Sequence, residues 1–169
     1  QEFDHLLKDR ESWEEHYLPR LKFTKDRINA DYFNAVKAES EKTDIPVIMH
    51  VGSMFGEIRN WLGVEGTAYL WADDEDLYDE IIDTVGQLLL DCLNEALTYG
   101  IKVDVGHFWE DICFKNGPLV SPSVFDEKVG PWYKKINDRL REAGINFTSL
   151  DCDGCIDALI PTWLENGVN

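Results

Sequence analysis

The sequence lacks the features of several common protein classes. It has no apolar run of about 18 residues, so we expect no transmembrane helix. Residues 1–10 are charged and lack the apolar core of a signal peptide. The four cysteines, Cys92, Cys113, Cys152 and Cys155, are too few and too irregularly spaced for a secreted disulfide scaffold. These absences predict a cytoplasmic protein with reduced thiols.

Features that would divide the chain are missing too. Internal repeats, low-complexity tracts and linkers rich in proline or glycine do not occur. Hydrophobic residues make up 44% of the sequence, which is enough for one globular core. We therefore expect residues 1–169 to form a single domain.

Positive charge is scarce. The chain has 33 acidic residues against 16 basic ones, and its net charge is −17. An acidic surface repels both nucleic-acid phosphates and anionic lipid headgroups. We therefore expect neither nucleic acid nor a membrane as a partner, and we interpret the charge as maintaining solubility.

Three short apolar segments predict β-strands, near residues 46–51, 103–109 and 145–150. The first is a continuous apolar run closed by Gly52, which is typical of a buried strand in a parallel sheet. Helices are predicted from Ser12 to Pro19, Ala30 to Glu41, Phe55 to Leu62, Asp73 to Tyr99, Ser121 to Gly144 and Ile156 to Glu165. Pro131 and Pro161 should disturb the last two.

Details at the helix ends support these predictions. Ser12 and Glu15 have the spacing of a capping box, and the acidic cluster Asp73–Asp76 suits a helix N-terminus. In the second helix, Tyr32, Phe33 and Val36 are expected on the buried side.

The alternation of strands and helices predicts an α/β fold with parallel strands. Three strands are a poor sheet for such long helices, and a closed eight-stranded barrel needs about 250 residues. We therefore expect part of a (β/α)8 TIM-type barrel with long connecting helices. Either further strands are missing or other chains complete the sheet.

Polar residues follow each predicted strand, in the segments 50–53, 107–111 and 151–155. The carboxyl ends of parallel strands meet at one edge of the sheet, where function gathers in α/β proteins. The sequence therefore predicts a site at this edge.

Glu110 and Asp111 are adjacent carboxylates at the end of the second strand. They suit metal binding, acid–base work or substrate hydrogen bonding, and equally a helix cap or salt bridge in the loop. Strand alternation places His107 and Glu110 on opposite faces. We expect Glu110 to face the mouth of the barrel and His107 to be packed.

Asp151 and Asp153 lie on one side of an extended segment and could bind a hard or borderline metal. Alternatively, Asp153 caps the helix that follows. Cys152 and Cys155 have the spacing of a thiol-redox or zinc motif, but no second pair completes a zinc site.

Four motifs of the sequence carry a resemblance to known proteins. The strongest is His107-Phe-Trp-Glu-Asp-Ile-Cys-Phe-Lys-Asn-Gly-Pro-Leu-Val-Ser-Pro122. The others are Pro131-Trp-Tyr-Lys-Lys135, Asp151-Cys-Asp-Gly154 with Ile156-Asp-Ala-Leu-Ile-Pro161, and the loop Gly52-Ser-Met-Phe-Gly56. Together they resemble the superfamily of uroporphyrinogen decarboxylases and corrinoid methyltransferases, and the resemblance implies a (β/α)8 barrel with its site at the strand carboxyl ends.

The superfamily contains two chemistries, and the resemblance leaves both open. One is metal-free decarboxylation of a tetrapyrrole, in which family arginines bind the substrate from early barrel segments without counterpart here. The other is zinc-dependent methyl transfer involving a corrinoid, in which the positions of a His-x-Cys zinc motif match Asp151 and Asp153. Implied cofactors are therefore zinc or another divalent metal, and a corrinoid.

Our first hypothesis is a decarboxylase-like enzyme that acts on a tetrapyrrole. The alternatives are a metal-dependent corrinoid methyltransferase-like protein and a non-catalytic partial barrel that needs partner chains or self-associates. A thiol-redox protein that uses Cys152 and Cys155 is a weaker idea. The candidate residues are Glu110, Asp111 and Asp151 for catalysis; His50, Ser53, Phe55, His107 and Lys115 for substrate binding; and Asp151, Asp153 and Glu110 for a metal.

Overall fold

A computed structural model describes residues 5–169 of the chain. Three strands form a parallel sheet: β1 (Ile48–Gly52), β2 (Val105–Trp109) and β5 (Phe147–Asp151), with β2 in the centre. A two-stranded antiparallel hairpin, β3 (Cys113–Phe114) and β4 (Gly117–Pro118), follows β2. The predicted parallel α/β arrangement is confirmed, and each of its strands begins about two residues later than expected.

The helical elements connect and precede these strands. They are α1 (Arg10–Ser12), a short π-helix (Trp13–Tyr17), two 3₁₀ turns (Leu18–Arg20 and Lys25–Arg27), α2 (Ala30–Ser40), α3 (Phe55–Asp73), α4 (Glu75–Leu97), α5 (Pro122–Val124), a second π-helix (Phe125–Val129), α6 (Gly130–Glu142) and α7 (Ile160–Glu165). Within residues 5–169, no helix is both long and apolar enough to cross a membrane.

The first helical segment begins earlier than expected. Asp9 is its N-cap and accepts from the amide of Ser12 at 2.8 Å. Ser12 therefore occupies the N3 position of the capping box and is not the N-cap. Pro19 does not end the segment, because the chain continues there as a 3₁₀ turn, in which Pro19 occupies an early position. Proline is tolerated in a first turn, since its missing N–H would have no helical acceptor there.

Helix α2 was predicted correctly in extent but not in its buried face. Tyr32 is 63% exposed, while Phe33 is half-buried against the ring of Tyr99. Val36 is half-buried as well. The helix therefore contacts the rest of the protein along a narrow edge.

Long helices α3 and α4 follow β1. Helix α3 continues past the predicted end at Leu62, but Gly63 has a φ of 72° and breaks its regular geometry there. Asp74 caps α4 and accepts from the amide of Leu77 at 2.9 Å, which confirms the helix-terminal interpretation of the acidic cluster. Leu77, Ile81 and Val85 are buried along its core-facing side.

Pro131 and Pro161 each lie in the first turn of a helix. Pro131 follows the second π-helix and stands near the start of α6. The backbone stays helical at Val129 and Gly130, so the helix is disturbed by a π-helical segment just before the proline and is not broken. Pro161 stands near the start of α7, which therefore begins at Ile160 and not at Ile156.

One face of the sheet packs on helices. A Cβ added at Gly106 of β2 would come within 2.7 Å of Leu140 of α6, and the Phe108 ring packs at a tilt against Tyr133 with ring centroids 4.7 Å apart. The opposite face is open: Ile48 is 57% exposed and Phe147 is 67% exposed. The two faces of β2 thus meet different environments.

Candidate functional site

The carboxyl ends of the three parallel strands lie together. The amide of Glu110 donates to the carbonyl of Asp151 at 2.9 Å, which joins the ends of β2 and β5. The amide of Asp153 donates to the Asp111 carboxylate at 3.2 Å. Ser53, directly after β1, donates through its hydroxyl to Glu110 at 3.1 Å. The three predicted segments therefore meet at one edge, as the parallel topology requires.

Glu110 is fully buried at the centre of this edge. One carboxylate oxygen accepts from the amide of Met54 at 3.1 Å and from the hydroxyl of Tyr133. The other accepts from the amides of Phe55 and Gly56, at 2.8 and 2.7 Å, and from Ser53. The carboxylate thereby satisfies the free amides at the start of α3, as a helix cap does.

The orientation expected for β2 is wrong. Glu110 contacts the start of α3 and the Tyr133 side chain of α6, so it faces the helices together with Gly106 and Phe108. His107 lies on the open face. The cause is the packing of Phe108 and the close approach of Leu140 to Gly106, because these two residues assign that face of β2 to the helix layer.

Burial controls the ionisation of the hydrogen-bonded pair Glu110 and Tyr133. Loss of solvent raises the pKa of the Glu110 carboxyl, and the hydrogen bonds, led by that from Tyr133, oppose the rise. Burial and the neighbouring carboxylate also raise the pKa of Tyr133 well above its usual value. Tyr133 therefore acts as a hydrogen-bond donor at neutral pH.

Asp111 holds an uncommon backbone conformation. Its φ is 48°, and it is the non-glycine residue with positive φ in the described part of the chain. Aspartate tolerates this left-handed region better than most residues, but the conformation still costs energy. The turn directs the Asp111 carboxylate to the amide of Asp153, so the ends of β2 and β5 are joined a second time.

Asp151 and Asp153 are both exposed at the end of β5. Glu110, by contrast, is buried, and both of its oxygens accept hydrogen bonds. Across residues 5–169, no three histidine, cysteine, aspartate or glutamate side chains form a group that could hold a metal ion. The structure therefore does not assemble the three predicted metal ligands into one set, and metal binding at Asp151 and Asp153 stays a prediction.

The predicted substrate-binding residues occupy different environments. His50 is exposed and His107 half-buried, and both lie on the open face of the sheet. Ser53 is buried against Glu110, and Phe55 is buried in the core between the rings of Tyr78 and Phe125. Lys115 is exposed in the turn between β3 and β4.

The thiols of Cys113, Cys152 and Cys155 lie in or beside the loop that follows β5. The amide of Cys155 donates to the carbonyl of Phe114 at 2.9 Å, so this loop packs on the β3–β4 hairpin. Burial raises the pKa of the Cys113 thiol to about 12 and raises that of Cys152. A raised pKa suppresses the thiolate, which is the nucleophilic form. All four cysteines are free.

The sequence patterns did not indicate Tyr133 or the amides of residues 54–56 as parts of this site. The available signal was the glycine of the loop after β1: a Cβ at Gly56 would come within 2.2 Å of the Glu110 carbonyl oxygen. Glycine in such a loop indicates close approach by another backbone.

Comparison with known proteins identifies the fold. No protein-family profile matches the chain, and no curated protein matches it by sequence. Among solved structures, a methyltransferase from Methanosarcina mazei is similar, with a TM-score of 0.57 and 17% sequence identity. The match covers 95% of this chain and 43% of that structure, so the chain spans less than half of the length of the similar protein.

The fold is therefore mixed α/β, with the parallel strands β1, β2 and β5 and long helices forming part of a TIM-like barrel. At this level of identity the similarity concerns the fold.

Proposed function

We propose that this chain forms part of a methyltransferase-type barrel and supplies one side of a corrinoid-binding mouth. The observation that carries the proposal is the fold shared with a methyltransferase over 95% of the chain. The strand-end carboxylates lie where barrel enzymes of this architecture hold their substrates. The bound corrinoid would supply the cobalt centre that carries the methyl group.

Three carboxylates on this edge suit the rim of a corrin ring, which bears amide side chains. Asp111 and the exposed Asp151 and Asp153 offer oxygens that can accept hydrogen bonds from such N–H groups. Charged acceptors make hydrogen bonds about twice as strong as neutral ones. Trp109, half-buried beside them on the open face, offers a flat apolar surface for the ring.

Glu110 is a positioning residue in this proposal. By binding the amides of residues 54–56 it holds the start of α3 against the end of β2. It thereby sets the position of Asp111, the next residue in the chain. Its carboxylate is fully buried and is not exposed at the mouth.

A zinc ion does not fit the residues predicted for it. Glu110 is occupied by hydrogen bonds, and Asp151 and Asp153 belong to no group of three potential ligands in the described chain. We therefore derive no step through zinc at this edge. Decarboxylation of a tetrapyrrole remains a prediction of the resemblance that no structural observation favours.

Equilibrium dialysis against hydroxocobalamin tests the proposal, since the corrinoid can be measured by its own visible absorption. We expect saturable binding that Asp151→Asn and Asp111→Asn each weaken by about tenfold or more, because a hydrogen bond to a charged group contributes about 1.5–3 kcal/mol. Asp31→Asn, on the exposed first turn of α2, is the matched control. Absence of saturable binding, or equal weakening by the control, would overturn the proposal.

A further inference from the structure

Two histidines lie side by side on the open face of the sheet. His50 of β1 is the register partner of His107 of β2. Their ring centroids are 4.9 Å apart, and the ring planes meet at 85°. His50 is exposed and His107 half-buried, so both rings can be reached from solvent. Neighbouring strands are about 4.8 Å apart, and this spacing allows two imidazoles to share one small ligand.

Strand β5 fixes the orientation of the His107 ring. Nδ1 of His107 lies 2.8 Å from the hydroxyl oxygen of Ser149, its register partner on β5. When the ring donates from Nδ1, its lone pair is on Nε2. Histidines that bind metals are commonly held in this way, with one nitrogen on the metal and the other donating to a neighbouring group.

We propose that His50 and His107 bind one divalent transition-metal ion of the Ni²⁺ and Zn²⁺ class, with water completing the coordination. Imidazole nitrogen is a preferred ligand for these ions, whereas Mg²⁺ and Ca²⁺ prefer oxygen. The net charge of −17 favours a cation over an anion at this face. The ligand pair is separate from the strand-end carboxylates, and it does not depend on corrinoid binding.

Ni²⁺ is the probe of choice because it binds imidazole and does not oxidise the free thiols. Isothermal titration calorimetry should show one ion per chain. His50→Ala and His107→Ala should each weaken binding by about tenfold or more, and Ser149→Ala, which removes the partner of Nδ1, by about tenfold. The glutamine variants of both histidines keep the side-chain size and provide a second test if an alanine variant unfolds.

The chain contains its own matched control. Its two other histidines, His5 and His16, lie in the N-terminal segment, where His5 contacts Gly63 and His16 is beside Glu15. The double variant His5→Ala, His16→Ala should bind Ni²⁺ as the unaltered protein does. Paramagnetic broadening by Ni²⁺ should affect the amide NMR signals of residues 49–51 and 106–108 first. Binding that survives loss of His50 and His107, or no binding at all, would overturn the proposal.

Discussion

Tyr133 donates its hydroxyl hydrogen to the carboxylate of Glu110 in the interior, where both side chains are completely out of contact with solvent. This bond joins α6 to the end of β2, and the same carboxylate binds the first amides of α3. One side chain thus connects two helices to the central strand directly beneath the candidate site.

Replacing this carboxylate should destabilise the protein. One oxygen of Glu110 accepts two hydrogen bonds and the other three, so the NH₂ group of Glu110→Gln must face at least two donors. We expect a loss of about 3 kcal/mol in the free energy of unfolding, measured in urea. Tyr133→Phe removes one donor and should cost about 1.5 kcal/mol. A Gln variant as stable as the unaltered protein would contradict this account.

The same residue predicts a pH dependence. Because burial raises the pKa of Glu110, its contribution to stability is fully present below the unfolded pKa, near 4.5, and is lost as the pH rises through the folded pKa. Glu110→Gln has no such titration. The difference in unfolding free energy between the two proteins should therefore shrink as the pH rises above about 4.5. Urea titrations across this range measure it, and a difference that grows with pH would refute the prediction.

Gly56 should not tolerate a side chain. A Cβ at this position would come within 2.2 Å of the Glu110 carbonyl oxygen, and backbone cannot yield as a flexible side chain can. Gly56→Ala should cost about 3 kcal/mol, since overpacking displaces the start of α3. Gly66→Ala, in the same helix, meets the Leu62 side chain at 3.2 Å and should change stability by about 1 kcal/mol or less. Equal effects of the two variants would contradict the close approach.

The open face of the sheet should promote association. Ile48 and Phe147 are exposed on the two outer strands, β1 and β5, and unpaired strand edges attract further strands. We expect the mass measured by light scattering to rise with protein concentration. The double variant Ile48→Lys, Phe147→Lys should reduce this rise without lowering stability, because both side chains are already exposed. A monomeric unaltered protein at every concentration would argue against dependence on partner strands.

Much of the architecture could be predicted from local sequence. The three strands and the long helix α4 follow from apolar runs and helical spacing, which depend on residues close together in the chain. The orientation of β2 did not follow. Alternation places His107 and Glu110 on opposite faces, but the choice between the faces depends on Leu140 and Tyr133, more than twenty residues downstream. A buried glutamate with five donors is favourable only in that tertiary setting.

The cap of the first helical segment shows the same limit at short range. Ser12 and Glu15 have the spacing of a capping box, yet Asp9 caps the segment, and the Ser12 hydroxyl oxygen accepts a hydrogen bond from the Asp9 amide at 3.0 Å. Both pairs have the three-residue spacing of a capping box, but the Asp9 pair has serine where the motif carries Glu or Gln. The core position of Trp13, which is completely buried and donates to Glu80 at 3.0 Å, is consistent with the earlier start.

The most direct test of the proposed function is to locate the corrinoid on the chain. Amide NMR spectra should be recorded during titration with hydroxocobalamin. We expect shift changes to concentrate at the carboxyl ends of the strands, at Asp111 and residues 151–155. Changes confined to the opposite end, around residues 100–104 and 144–146, or no changes at saturating corrinoid, would contradict it.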